Sequence, residues 1–159
     1  MDFFGGSKKK KTTSSVPPGH VIAPQWAVKP NGKFHRLVDL DPEELKLTGQ
    51  GGVYVVWHGG VRPAWVYVGS APDLASAMHS LARNDDLMHY DLHGGLFVSW
   101  AFLHEDIWNG VLLFLKMKLN PTEDNPDVPT EPNPETGLVP VAVVPPGMHL
   151  KTPEETDTY

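Results

Sequence analysis

The pattern of apolar and polar positions changes character twice along the chain. Residues 7–19 (SKKKKTTSSVPPG) have no apolar period and read as a flexible basic arm. Residues 20–49 carry scattered apolar anchors, Trp26 and Phe34 among them, around a Pro-Asn-Gly turn signal at 30–32. Asp41-Pro42-Glu43-Glu44 predicts a short helix ending before Gly49: Asp41 caps, Pro42 suits the first position, and Glu44 has capping-box spacing. Beyond Gly51 the pattern becomes β-branched and aromatic. Residues 53–57 (VYVVW) and 64–68 (AWVYV) predict two strands of an antiparallel hairpin. Asp73 opens a predicted helix to about Arg83, with Leu74, Ala77, Met78 and Leu81 at helical spacing. Residues 84–95 read as a polar loop and 96–103 as a third, buried strand. A last helix is expected from Glu105-Asp106, whose acids suit a helix start, to about Leu119 before Asn120-Pro121.

The expected fold class is therefore α+β. A ββαβα domain at 50–121, with a three-stranded antiparallel sheet, is flanked by extended arms. The basic arm covers 1–19, and an N-terminal extension with its short helix covers 20–49. From Pro121 onward 9 of 39 residues are proline, so 122–159 reads as a Pro-rich acidic tail with no core of its own. Val139 to Val144 (VPVAVV) is the exception, a short apolar piece that needs a partner surface.

Charge sharpens this division. Residues 1–40 hold 7 Lys/Arg against 2 Asp/Glu, residues 41–119 hold 5 against 9, and residues 120–159 hold 1 against 8. A net charge of −6 distributed in this way makes nucleic acid an unfavoured partner, because neutralising phosphates needs a basic face. The Lys8 to Lys11 run reads as a solvated or docking arm. With no cysteine, disulfides, thiolate chemistry and Cys-ligated zinc are excluded. The start of the chain lacks a signal-peptide apolar core, and the longest apolar run, Val111 to Leu115, is far short of a membrane span. A cytoplasmic location, or a place in a virion-like or other large particle, is expected.

Two local motifs narrow the fold. Gly52-Val53-Tyr54 opens the first strand and Tyr67-Val68-Gly69 closes the second, with 12 residues between the tyrosines. This pair, followed within a turn by a helix, resembles the signature of the GIY-YIG nuclease superfamily. The resemblance implies, for active members, a first-motif tyrosine that helps activate water and a second that supports the site. It also implies an arginine on the first helix for phosphate charge and a glutamate on the last helix for a divalent metal. In this chain Tyr54 and Tyr67 match. The arginine position falls on Ala77 and the glutamate position on about Leu112, and residues 110–115 contain no carboxylate. Losing one preorganised electrostatic partner costs about two to three powers of ten in rate. The domain thus reads as a degenerate member without catalysis, cofactor or metal, its tyrosines serving as strand aromatics and Gly52 and Gly69 serving backbone geometry.

The expected function is a structural or adaptor subunit of a larger assembly, docking on protein partners through its arms. Trp26, Phe34, Val139, Val141, Val143 and Val144 are the candidate contact residues, while Trp57, Trp65, Trp100 and Trp108 are assigned to core or interface. Two alternatives stand beside this. One is a metal-dependent endonuclease with relocated groups such as His79, Glu105 and Asp106 beside Tyr54. The other is a nucleic-acid-binding module that does not cut. His89, Asp91 and His93 alternate as metal ligands would on an extended segment, although a loop of this composition is more often simply solvated.

Overall fold

The computed structural model describes residues 20–60 and 63–148. The basic arm with Lys8 to Lys11, Val61 and Arg62 of the hairpin loop, and residues 149–159 lie outside the described residues.

Four strands form one antiparallel sheet: β1 (His35–Arg36), β2 (Gly52–His58), β3 (Ala64–Ala71) and β4 (Leu96–Ala101), in the order β1-β4-β2-β3. The expected three-stranded sheet is corrected by β1, which adds to the free edge of β4 by pairing His35 with Val98 and Arg36 with Phe97. Two residues are too short for an alternating pattern, so nothing local marks them as a strand. The hairpin β2–β3 pairs as predicted, with a bulge between Val56 and Trp57.

The strands alternate between two apolar faces. On one, Tyr54, Val56, Val98 and Trp100 pack against helix α1 (Leu74–Ala82) through Leu74, Ala75, Met78 and Leu81. Asp73 caps α1 as expected, its Oδ1 accepting from the Ala75 and Ser76 amides. On the other face, Val53, Val55, Val68 and Ala101 meet helix α3 (Trp108–Leu119) through Val111, Leu112 and Leu115. A 3₁₀ turn over Glu105–Ile107 precedes α3, and Asn120 ends it in a left-handed conformation (φ 51°) before Pro121. The stretch read as a polar loop contains a further short helix, α2 (Asp85–Met88), and a 3₁₀ turn over His89–Leu92. The Asn84 side chain caps α2, and Leu87 is buried in the α1 face.

The helix expected after Asp41 closes as a single turn. Asp41 Oδ1 accepts from the Glu44 amide at 3.2 Å, so the cap forms. Lys46 then turns left-handed (φ 62°), and Leu47, 1% exposed, enters the α1 face instead of extending the helix.

Parts of the segments read as extended arms pack on the core. Ile22 bridges Val143 in parallel, with Ile22 N donating to Ala142 O (2.9 Å) and Val144 N donating to Ile22 O (2.8 Å). Val141 N donates to Gly110 O (2.9 Å), which ties this strap across α3. Gly110 is needed there, because a Cβ would lie 2.6 Å from a Val141 methyl and 2.8 Å from Val139 O. Nearer the hairpin, Thr122 N and Glu123 N donate to Trp65 O and Val66 O along β3, and Val128 enters the α3 face. No helix among the described residues is long and apolar enough to cross a membrane.

Candidate functional site

The two motif tyrosines come together on the α1 face. The register that pairs Tyr54 with Gly69 and Val56 with Tyr67 sets the two rings 6.3 Å apart and 24° from parallel. Tyr54 is 6% exposed. Its hydroxyl occupies the space a side chain at 69 would need, so Gly69 serves close approach within the chain. Gly52 does the same against the Ala101 carbonyl. Neither has a positive φ, so backbone geometry is not the reason for either glycine.

A segment that the motif comparison overlooked closes over this pair. Asn125 Nδ2 donates to Val68 O (3.0 Å) and lies against Gly69. Glu123 accepts from the Tyr90 hydroxyl (2.7 Å), and Lys116 pairs with Asp124 (2.8 Å). A cavity of about 220 Å³ opens between this segment, Val68 and the end of α3. Burial, then the neighbouring Tyr67 and Asp127, push the Tyr54 phenol well above its ordinary pKa. Burial, then Asp127 and Asp124, raise Tyr67. Both shifts disfavour the phenolate form. The nearby acids are a surprise of the tail's path, since their sequence distance from the hairpin conceals them.

The other positions tied to the family do not converge on the pair. Ala77 is half-buried in the α1 layer, whereas Leu112, 2% exposed, packs on the opposite face of the sheet. Arg83 is the exposed C-cap of α1. His79 Nε2 is 2.7 Å from Glu43 Oε2, which directs it toward the N-terminal extension. Glu105 and Asp106 are exposed in the turn before α3, and Asp106 lies 3.3 Å from His104. Gly52, Val53, Val68 and Gly69 are all buried strand positions.

The proposed alternation of His89, Asp91 and His93 is lost because 89–92 coil into a 3₁₀ turn. Asp91 instead accepts from Arg36 Nε (3.0 Å) and Nη2 (2.7 Å) and from the Leu96 amide (2.8 Å). The guanidinium holds the Asp91 carboxyl below the usual carboxylate range. The His58, His89 and His93 rings gather around Tyr90, and His58 Nδ1 is buried without a hydrogen-bond partner among the described residues. Among the described residues no group of three His, Cys, Asp or Glu side chains is arranged to hold a metal ion.

The candidate contact residues have partners within the chain. Trp26 Nε1 donates to Val144 O (2.7 Å), and Val141, Val143 and Val144 are buried beneath or beside it. The surface that the valines cover is α3 and residue 22 of the same chain. Val139 alone of the four valines is exposed, at 53%. Phe34 is half-buried and packs edge-on against Trp57, 4.9 Å between centroids. Trp57 also stacks with Phe97 at 6.2 Å. These three rings line an open cleft of about 500 Å³ with Lys29, Lys33 and Arg36. Trp57, expected in the core or an interface, is half-buried at the end of β2.

No protein-family model, curated protein or solved structure matches the chain. The function is therefore argued from these two aromatic groups and their surroundings.

Proposed function

We propose that the chain is a non-catalytic structural or adaptor subunit of a larger assembly, built on a degenerate GIY-YIG-like core. The observation that carries this reading is the closed state of the motif tyrosines. The Tyr54 hydroxyl is packed against Gly69 under Asn125, and the positions expected to supply cation and metal ligand are apolar packing residues on opposite faces. Phosphodiester cleavage needs a positioned nucleophile, a Lewis acid and a cation for the developing charge. Docking falls to the exposed surface of the folded domain, since the described arm segments are spent on holding it together.

One observation favours the enzyme alternative. The Asp127 and Asp124 carboxylates come near Tyr67, where a relocated metal ligand would have to stand. Incubation of the purified chain with plasmid and Mg²⁺ or Mn²⁺ separates the readings. No cleavage above background is expected. Cleavage abolished by Tyr54→Phe or Asp127→Asn would establish a nuclease and end the adaptor reading.

A further inference from the structure

We infer that the cleft between Phe34, Trp57 and Phe97 is a docking site for an extended acidic peptide of a partner protein, anchored by an aromatic or proline side chain. This rests on the adaptor reading and gives it a surface and a partner chemistry. Cross-strand pairing sets Arg36, Phe97 and Trp57 in one row on one face, one residue from each of β1, β4 and β2. Trp57 continues the alternation of Val53 and Val55, so the row lies on the face covered by α3 and extends it beyond the helix. The rings present half-buried apolar surface in an open cleft, the setting in which peptide anchors insert.

The rim sets the charge of the partner. Lys29 and Lys33 are exposed at the two ends of one turn, closed by Lys29 N donating to Lys33 O (2.8 Å). Neither forms an ion pair among the described residues. Arg36 is balanced by Asp91, which fixes its guanidinium as a wall, and Asp39 is the one acid lining the cleft. Two free ammonium groups beside aromatic rings suit two carboxylates flanking a ring. They suit single-stranded nucleic acid poorly. Neutralising two phosphates gives a salt slope of only about −1.4, too little to hold a polyanion against a chain of net charge −6.

The test uses the full chain and an array of ten-residue peptides in which acidic content and a central Trp, Tyr or Pro vary independently. Binding is expected to rise with acidic content, to require the central ring, and to weaken with salt. The double reversal Lys29→Glu/Lys33→Glu, confined to exposed side chains, is expected to lower affinity at least about tenfold without changing the circular dichroism spectrum. Equal binding of basic and acidic peptides, or indifference to the double reversal, overturns the assignment. So does tighter binding of a twelve-residue oligothymidylate than of any peptide. Peptide binding that emerges only in Glu154→Ser/Glu155→Ser/Asp157→Ser would identify the chain's own acidic segment as the occupant and equally overturn it. If a native partner co-purifies undiminished with the double-reversal variant, the cleft assignment falls while the adaptor reading stands.

Discussion

The two aromatic groups of this protein sit on opposite faces of one hairpin, only a few residues apart, and have opposite fates. Tyr54 and Tyr67 on the α1 face are closed over by Asn125 and the acids around it. Trp57 and Phe97 on the α3 face remain partly open beside Phe34 and two lysines that form no ion pair among the described residues. Hydrophobicity does not explain the difference, because the polar Tyr54 is the most deeply buried of these rings. What differs is the chain that arrives later. Residues 122–125 run along β3 and cover the tyrosines, whereas the strap at 141–144 crosses α3 and leaves the end of β2 bare. A motif on a strand therefore says only where to look for a site. The covering segments say whether anything can reach it.

The strongest way to break this comparison is to install the arginine and glutamate that the motif resemblance implies. Leu112→Glu puts a carboxylate into the α3 face with no partner, and it is expected to cost on the order of 3 kcal/mol or more. Ala77→Arg, at a half-buried position, is expected to be far milder. The double variant should gain no cleavage activity, because the two positions are separated by the sheet. Thermal unfolding together with plasmid cleavage checks both points. Recovered activity would mean that the closed tyrosines open readily.

A smaller effect is expected from Gly110→Ala. Alanine gains about 1 kcal/mol in a helix interior, which alone would stabilise α3. The new Cβ also meets Val139 O and Val141, and overpacking of this kind costs about 1–3 kcal/mol. Backbone on one side leaves little room to yield, so the clash should win. The melting temperature should fall, and Trp26, bonded to Val144 O, should show red-shifted emission as the strap lifts.

The smallest effect is a pH dependence. Burial, then Lys29, lower the pKa of His35, which stacks on Trp100 at 5.1 Å. Between that lowered value and about 6.5 the unfolded chain binds more protons than the folded one. Stability should therefore fall as pH drops from 7 toward 5. His35→Gln should flatten that part of a urea-unfolding profile. Asp91 acts in the same direction at lower pH. Its folded pKa is depressed, so its contribution is present above the ordinary carboxylate value and lost as pH falls through the folded one.

Much of the core was legible because its signals are local. The hairpin strands, the Asp73 cap and the Asn120 stop each follow from a few neighbouring residues. The rest depends on contacts between distant parts of the chain. Nothing near His35 announces that Arg36 will reach Asp91 and thereby complete a fourth strand. Trp26 and the valines at 141–144 do behave as anchors seeking a surface, as their composition implies, but the surface is in the same molecule. The tyrosine pair was visible by motif. Its cover was not, because Asn125 and Asp127 lie in a proline-rich stretch with no periodicity to align against β3. The aromatic cleft is hidden for a related reason, since Phe34 joins Trp57 and Phe97 only when β1 adds to β4.

The strap has one more implication, for the order in which the molecule can be made. Ile22 leaves the ribosome early yet bonds to residues 142 and 144, and Trp26 waits for Val144, 118 positions later. Closing a loop of that size costs about 4 kcal/mol in chain entropy, so these contacts cannot form ahead of the body they embrace. A chain ending before residue 141 would carry α3 with the Gly110 side bare, a wet apolar stripe open to other chains.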